Sequence, residues 1–296
     1  MEAVLNASVV DQVKAEFGFT VDKFPMFGPE RMKSPCYGLF RSDNGKFVGS
    51  CNNTKSKDYV PHQTDDVIAL VEASSTLFEG DVDVRCHFND GHYVSVQPPA
   101  DKRLSVFGTK DNVFPRIIIN AGYNGTSFKA SMGYYRDLCQ NLSIMRMVKG
   151  TTVSIRHMSN LRSEMNELID TFGVLGESWE GLAERIQALE ATKVNLASVL
   201  DSIYGEIPTE PGRGRTTHDN RNKAIITRIF KEQFKANRHT DDPQHVTAWE
   251  AFNGVQGFSQ WTRFPNAQMT DFQRAIKGFS DKHVQKAEKL LLDLVA

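Results

Sequence analysis

Three hairpin signals in the first half of the chain restrict its fold more than any other feature of the sequence. Asn44, Asp90 and Asn124 each precede a glycine, and each pair lies between runs of β-branched and aromatic residues. An Asn or Asp followed by Gly readily adopts the positive φ angles of the tightest hairpin turns. The first half is therefore predicted to form an antiparallel sheet that is rich in hairpins.

One segment within this half has the signals of a helix instead. Thr64 can cap the stretch "TDDVIALVEASSTLF", and Asp65 and Asp66 lie where the positive end of a helix dipole favours negative charge. Val67, Ile68, Leu70 and Val71 would be its apolar positions. A helix is therefore predicted to begin at Thr64.

The apolar pattern becomes helical near residue 157. Helices are predicted for "LRSEMNELIDTFG", ending at Gly173, for "ESWEGLAERIQALEAT" and for "NKAIITRIFKEQFKANRH". The intervening "PTEPGRGRTTHDN" is predicted to be an exposed loop, and Asp242 with Pro243 is predicted to open a further helix. The fold class is therefore α+β, with a sheet domain over residues 1–157 and a helical region over residues 158–296 that packs on it or extends from it.

Composition points to an ordinary globular chain without a bulk affinity for nucleic acid. The 296 residues include 35 basic and 36 acidic side chains, a net charge of −1, so any such affinity needs a local cluster of cations. No apolar run approaches the ~20 residues that span a bilayer, and the N-terminus lacks the pattern of a signal peptide. Four cysteines without a C-x-x-C pair suggest free thiols in a reducing cytoplasm.

The sequence contains no recognisable catalytic signature. Phosphate-binding loops, zinc-protease motifs and the serine nucleophile elbow are all absent. His87 and His92 could face each other across a hairpin, but two imidazoles are more typical of a structural cross-strand pair than of a metal site. Cys139 lies near Arg136, yet no histidine partner is identifiable, so it is interpreted as a buried packing residue. No catalytic residue, metal site or cofactor is predicted.

Positive charge is concentrated in two segments. Residues 146–162 contain four basic side chains and no acid, and residues 213–238 contain eight against two. Aromatic residues precede the first segment within residues 133–146, which are predicted to join a strand to a helix. Rings that stack on bases, beside cations that follow a phosphate backbone, are typical of single-strand binding, although solvated faces and core packing also explain such residues. The predicted nucleic-acid-binding residues are Lys129, Tyr134, Tyr135, Arg136, Arg146, Lys149, Arg156, Arg213, Arg215, Arg221 and Lys223.

Three blocks of sequence resemble a known family. They are "VGSCNNTKSKDYVPHQTDDVIALVEA", "GYYRDLCQNLSIMR" with the following "VSIRHMSNLRSEMNEL", and "HVTAWEAFNGVQGFSQWTRF". Trp249 and Asn253 make the last block the most specific, and the likeness extends from about Val48 to Leu291. The chain thus resembles the phage- and plasmid-borne family of unknown function (domain of unknown function nine-three-two). That resemblance implies replication, recombination or host conflict in a mobile element.

A weaker, topological similarity links the chain to the Rad52-like single-strand annealing proteins of phages. In that fold a basic helix after the strands lines a DNA groove, a role that the resemblance assigns to Arg136, Arg146 and Lys149. The predicted function is non-catalytic binding or annealing of single-stranded nucleic acid by a homo-oligomer. The alternative is a factor that binds or inhibits a host protein through the C-terminal leucines Leu290, Leu291, Leu292 and Leu294.

Overall fold

The computed structural model describes most of the chain in two compact units. The first unit comprises Met1–Lys102, Pro115–Met132 and Gly150–Ser178, and the second comprises Arg103–Phe114, Gly133–Lys149 and Trp179–Ala296. The division predicted at residue 157 stays a prediction. The described residues are 7–51, 59–78, 82–88, 91–98, 104–105, 110–123, 128–139, 141–143, 152–155, 161–170, 172–238, 244–263 and 281–295.

Ten strands, three α-helices and one 3-10 helical turn (Pro29–Arg31) occupy the described part of the chain up to residue 170. Strands β1, β2 and β3 form a small sheet, and a seven-stranded sheet has the order β10-β8-β7-β5-β4, with β6 paired to β7 and β9 paired to β8. The elements are α1 (Ala7–Phe17), β1 (Val21–Phe27), β2 (Lys33–Arg41), β3 (Phe47–Cys51), α2 (Thr64–Leu77), β4 (Asp83–Phe88), β5 (Gly91–Gln97), β6 (Leu104–Ser105), β7 (Asn112–Gly122), β8 (Phe128–Arg136), β9 (Asn141–Ser143), β10 (Thr152–Ile155) and α3 (Leu161–Asp170).

Helices dominate the remainder of the described chain. The α+β class, with sheets in the N-terminal half and helices in the C-terminal half, is confirmed. Helix α4 contains Gly173, so the predicted helix end at that glycine is wrong. The elements are α4 (Phe172–Ala191), β11 (Lys193–Asn195), α5 (Leu196–Tyr204), α6 (Arg213–Lys235), β12 (His245–Thr247), α7 (Ala248–Gly257), a π-helical turn (Phe258–Arg263) and α8 (Lys282–Asp293).

Two of the predicted hairpins are confirmed by strand pairing. Strand β2 pairs antiparallel with β3 around Gly45, whose φ of 68° is in the left-handed region that glycine adopts without strain. Strand β4 pairs antiparallel with β5. Strands β7 and β8 are neighbours in the large sheet, but the turn at Asn124 lies outside the described residues.

Helix α6 starts earlier than predicted, and helix α7 starts at a reciprocal cap. Helix α6 begins at Arg213, directly after Gly212, so the cationic part of the stretch that was predicted to be a loop is helical. The helix can start there because Pro211 is the last proline before the helix ends. Helix α7 begins after Thr247, whose hydroxyl accepts from the Glu250 N–H at 3.0 Å while the Glu250 carboxylate accepts from the Thr247 N–H at 2.9 Å. This reciprocal cap fixes the start. Asp242 and Pro243, where a helix start was predicted, lie outside the described residues.

A pair of buried histidines lies in the core of the first unit. His62 Nε2 and His92 Nδ1 are 2.7 Å apart, and the Tyr123 ring stacks on His62 at 4.3 Å. The predicted pairing of His87 with His92 is wrong, because the register places His92 opposite Phe88 and His87 opposite Tyr93. Burial, with a smaller contribution from Arg41, lowers the pKa of His92 to about 3.

Stability is expected to decrease as the pH falls from about 6.5 towards 4. The unfolded chain takes up a proton at His92 near its ordinary pKa of about 6.5, whereas the folded chain does not until its pKa of about 3. This difference lowers the free energy of unfolding by up to roughly 1.4 kcal/mol per pH unit within that window. Urea denaturation at several pH values measures the slope of the free energy of unfolding against pH. His92→Asn should flatten it and His87→Asn should not; equal slopes in wild type and His92→Asn would refute this assignment.

Candidate nucleic-acid interface

Arg136 lies at the end of β8 and holds two carboxylates of the second unit. Its Nε and Nη2 donate to Asp111 at 2.8 and 2.7 Å, and its Nη1 donates to Glu232 of α6 at 2.6 Å. All three residues are buried. Burial alone would lower the pKa of Arg136, but Cys139, Asp111 and Glu232 raise it well above its usual value, so the guanidinium stays charged. Arg136 is therefore an internal anchor for helix α6.

The prediction that Arg136 and Tyr134 bind nucleic acid on the surface is wrong. The exposed fractions of their side chains are only 2% and 0%. The Tyr134 hydroxyl donates to Gln256 at 3.2 Å, and its ring packs on Trp249 with the ring centres 5.2 Å apart. Strand alternation explains the error, because alternate residues of β8 from Phe128 to Arg136 lie on one buried face.

The other predicted residues have different environments. On the opposite face of β8, Lys129 is exposed and Tyr135 is half-buried, with its ring against Phe114 at 5.2 Å. The described residues of this stretch, 133–139 and 141–143, do not begin a helix as predicted, because β8 ends in a turn at residues 137–139 and residues 141–143 form β9. Arg146, Lys149 and Arg156 lie outside the described residues.

Four predicted residues are brought together on helix α6. Arg213, Arg215 and Lys223 are exposed. Arg221 is half-buried; its guanidinium lies 4.0 Å from the centre of the Tyr204 ring and donates to Asn222. Burial lowers the pKa of Arg221, and the adjacent Tyr204 and Asp201 oppose that effect. Arg221 is therefore committed to packing, and the other three side chains remain accessible.

The exposed side of α6 carries a line of lysines, which we call the lysine face. At 3.6 residues per turn, this side of the helix lies opposite the side that carries the buried Ile225, Ile229 and Ala236. Phe234 is on the same side, and 78% of its side chain is exposed. The lysine face consists of Lys223, Lys231 and Lys235 together with Thr216, Asn220, Thr227 and Phe234.

Both acidic residues of α6 are opposed by arginines. Asp219 lies 3.9 Å from Arg215, on the exposed side. Glu232 is buried between Arg136, at 2.6 Å, and Arg228, at 2.8 Å. Asp219 therefore lies beside the N-terminal end of the lysine face, one helical turn before Lys223, where Arg215 opposes its charge. Between Lys223 and Lys235 the exposed side of α6 carries no carboxylate.

A pocket of about 400 Å³ lies beside the C-terminal part of α6. Its wall combines the turn after β8, cationic side chains of α6 and an indole from the π-helical turn. Because Lys231 and Lys235 are exposed, the pocket opens to solvent. Cys139, interpreted as a packing residue, is 9% exposed in this wall. The lining residues are Asp137, Leu138, Cys139, Arg228, Lys231, Glu232, Lys235 and Trp261.

Sequence reasoning missed four residues of this surface. Lys231 and Lys235 were part of the excess of charge, but no pattern separated them from other cations. Phe234 fits the spacing of an apolar face, and only the observed orientation of the helix shows its ring to be exposed. No pattern near Trp261 in the sequence marks it as a binding residue, since the other residues that line the pocket come from distant segments of the chain.

The most specific family block forms the core of the second unit. All residues of helix α7 are buried, and Trp249 lies under the Arg136 guanidinium, 5.6 Å from its ring centre. The Asn253 amide donates to the Trp249 carbonyl at 2.9 Å.

Two of the C-terminal leucines, Leu291 and Leu292, are buried, so the predicted protein contact through these two is wrong. Leu294 is 56% exposed.

Neither a metal cluster nor a membrane helix is found in the described ranges. No group of three or more His, Cys, Asp or Glu side chains in those ranges is placed to hold a metal ion. Among the same residues, no helix combines the length and the apolarity that crossing a membrane requires.

The described elements define an α+β protein whose helix α6 presents cations to solvent. The family model described as "Domain of unknown function (DUF932)" matches residues 53–291, so the chain belongs to this family, as its three sequence blocks predicted. No curated protein and no solved structure matches the chain. The similarity to Rad52-like annealing proteins therefore stays a prediction.

Proposed function

We propose that the protein binds single-stranded nucleic acid along the lysine face of α6, without catalysis, in the replication or recombination of a mobile element. One observation carries the proposal: Lys223, Lys231, Phe234 and Lys235 are exposed on one side of a helix, with no exposed carboxylate between Lys223 and Lys235. From Lys223 to Lys235 this face extends roughly 18 Å, at 1.5 Å per residue. That length accommodates several nucleotides of an extended strand.

The side chains of the lysine face suit the phosphate backbone and the unpaired bases of a nucleic acid. Each lysine ammonium can neutralise one phosphate, and Arg213 and Arg215 continue the positive charge at the start of the helix. The exposed ring of Phe234 offers a stacking surface, which contributes about 1–3 kcal/mol per base and tolerates any sequence. Binding is therefore expected to depend strongly on salt and weakly on sequence.

Fluorescence anisotropy with a labelled single-stranded oligonucleotide tests the proposal directly. If three lysines neutralise three phosphates, the logarithm of affinity should fall with the logarithm of salt concentration with a slope of about −2, or about −0.7 per phosphate. Oligonucleotides of equal length and different sequence should bind similarly. Absence of binding at low salt would refute the proposed function.

A second candidate function is binding of a host protein. It is favoured by exposed apolar side chains around the small sheet: Phe24, Met26, Phe27, Met32 and Phe47. Single exposed apolar residues are common, but a cluster of this kind is typical of an interaction surface. The same titration separates the two functions, because a dedicated protein-binding factor would leave the anisotropy of the oligonucleotide unchanged.

A further inference from the structure

We propose that the pocket beside Cys139 is the subsite for one unpaired nucleotide of the bound strand. This inference rests on the proposed function and names what the C-terminal end of the lysine face would hold. The pocket adjoins that face because Lys231 and Lys235 belong to both. A strand that follows α6 would therefore reach the pocket directly.

The charges around the pocket favour an anion. Glu232 is compensated by Arg136 and Arg228, with N–O distances of 2.6 and 2.8 Å. Lys231 and Lys235 are one helical turn apart and exposed, so both ammonium groups can approach the same phosphate. Asp137, in the turn after β8, is the remaining carboxylate of the wall. With Glu232 compensated, two lysines against one aspartate leave the pocket positive.

The apolar part of the wall favours a flat ring. Trp261 lies in the π-helical turn and is half-buried, so its indole is held by packing and still contributes to the pocket. Leu138 provides a further apolar surface. Indole and nucleobase rings stack with an energy of about 1–3 kcal/mol. Rings and cations in one pocket are the combination that a nucleotide requires.

The size of the pocket argues for a nucleotide over a free phosphate. A volume of about 400 Å³ is within the usual range for small organic ligands. A base enters such a pocket only when it is unpaired, because a paired base must first leave its stack at a cost of a few kcal/mol. The pocket would therefore give the protein its preference for single strands over duplexes.

Replacing Trp261 tests this subsite separately from the lysine face. Trp261→Leu should weaken single-strand binding about tenfold, through the loss of one stacked base, and leave duplex binding unchanged. Trp261→Phe keeps an aromatic ring and should bind close to wild type. Trp179→Leu is the matched control, since Trp179 is also half-buried in the second unit but does not line the pocket.

Thymidine monophosphate provides a second readout that needs no strand. It should quench tryptophan fluorescence in wild type and in Trp179→Leu, but not in Trp261→Leu. Absence of quenching, together with unchanged strand binding by Trp261→Leu, would overturn the subsite and leave strand binding by the lysine face intact. Failure of wild type to bind any strand would refute the proposed function; quenching that depends on Trp261 would still establish a nucleotide pocket.

Discussion

Exchanging Lys223, Lys231 and Lys235 together for glutamate is expected to weaken single-strand binding on the order of 100-fold at low salt. Three exposed charge contacts contribute about 1 kcal/mol each, and each 1.4 kcal/mol corresponds to a factor of ten. The slope of affinity against salt should also become shallower, since fewer counterions are released. Anisotropy titrations at several salt concentrations measure both quantities.

Helix α8 offers a matched control for this charge reversal. Lys282, Lys286 and Lys289 are also exposed and belong to the same unit, so their change to glutamate alters the net charge equally. Binding should decrease far less in this control than in the variant of the lysine face. Equal losses in the two variants would mean that overall charge governs binding and that α6 is not the interface.

Arg136→Met should lower the free energy of unfolding by about 3–5 kcal/mol, the usual effect of removing one partner from a buried ion pair. Asp111 and Glu232 would each lose the charge of Arg136 at a buried position, and Glu232 would keep only Arg228 beside it among the arginines of this cluster. Urea denaturation, followed by circular dichroism, measures the change. Arg215→Met is the control: this arginine is exposed and lies 3.9 Å from Asp219, so its loss should have little effect.

The neutralised triple variant Arg136→Met, Asp111→Asn, Glu232→Gln should recover part of the lost stability. It replaces the charged groups of the broken ion cluster, apart from the partly exposed Arg228, with uncharged side chains of similar size, which buried sites often tolerate. If Arg136→Met is as stable as wild type, Arg136 does not anchor α6. If the triple variant is no better than the single one, charge is not the reason for the loss.

Local patterns in the sequence predicted the strands that flank the hairpin turns but not the residues that these strands bury. The pairs of β2 with β3 and of β4 with β5 were predictable because Gly45 and Gly91 mark turns within a few residues of both strands. The cross-strand partners of His87 and His92 were not predictable, because a shift of one residue in the register changes every partner. Strand existence depends on local sequence, whereas pairing depends on the whole sheet.

The candidate interface was half predictable for a similar reason. The excess of cations in residues 213–238 pointed to the correct segment, and Arg213, Arg215 and Lys223 are exposed there. Arg136 was misassigned, because an arginine that compensates buried carboxylates has the same sequence signature as one that binds phosphate. Its partners Asp111 and Glu232 are 25 and 96 residues away along the chain.

The sequence by itself determined the α+β class, two of the three hairpins, the family and the position of the cationic segment. Those properties arise from turn residues, periodicity and blocks of residues that are close in the chain. Only the tertiary structure decided which cations are exposed, that Arg136 and Tyr134 are internal, and that Trp261 meets Lys231 and Lys235 at one pocket. Burial and long-range contact depend on how distant segments pack, and no local pattern records that arrangement.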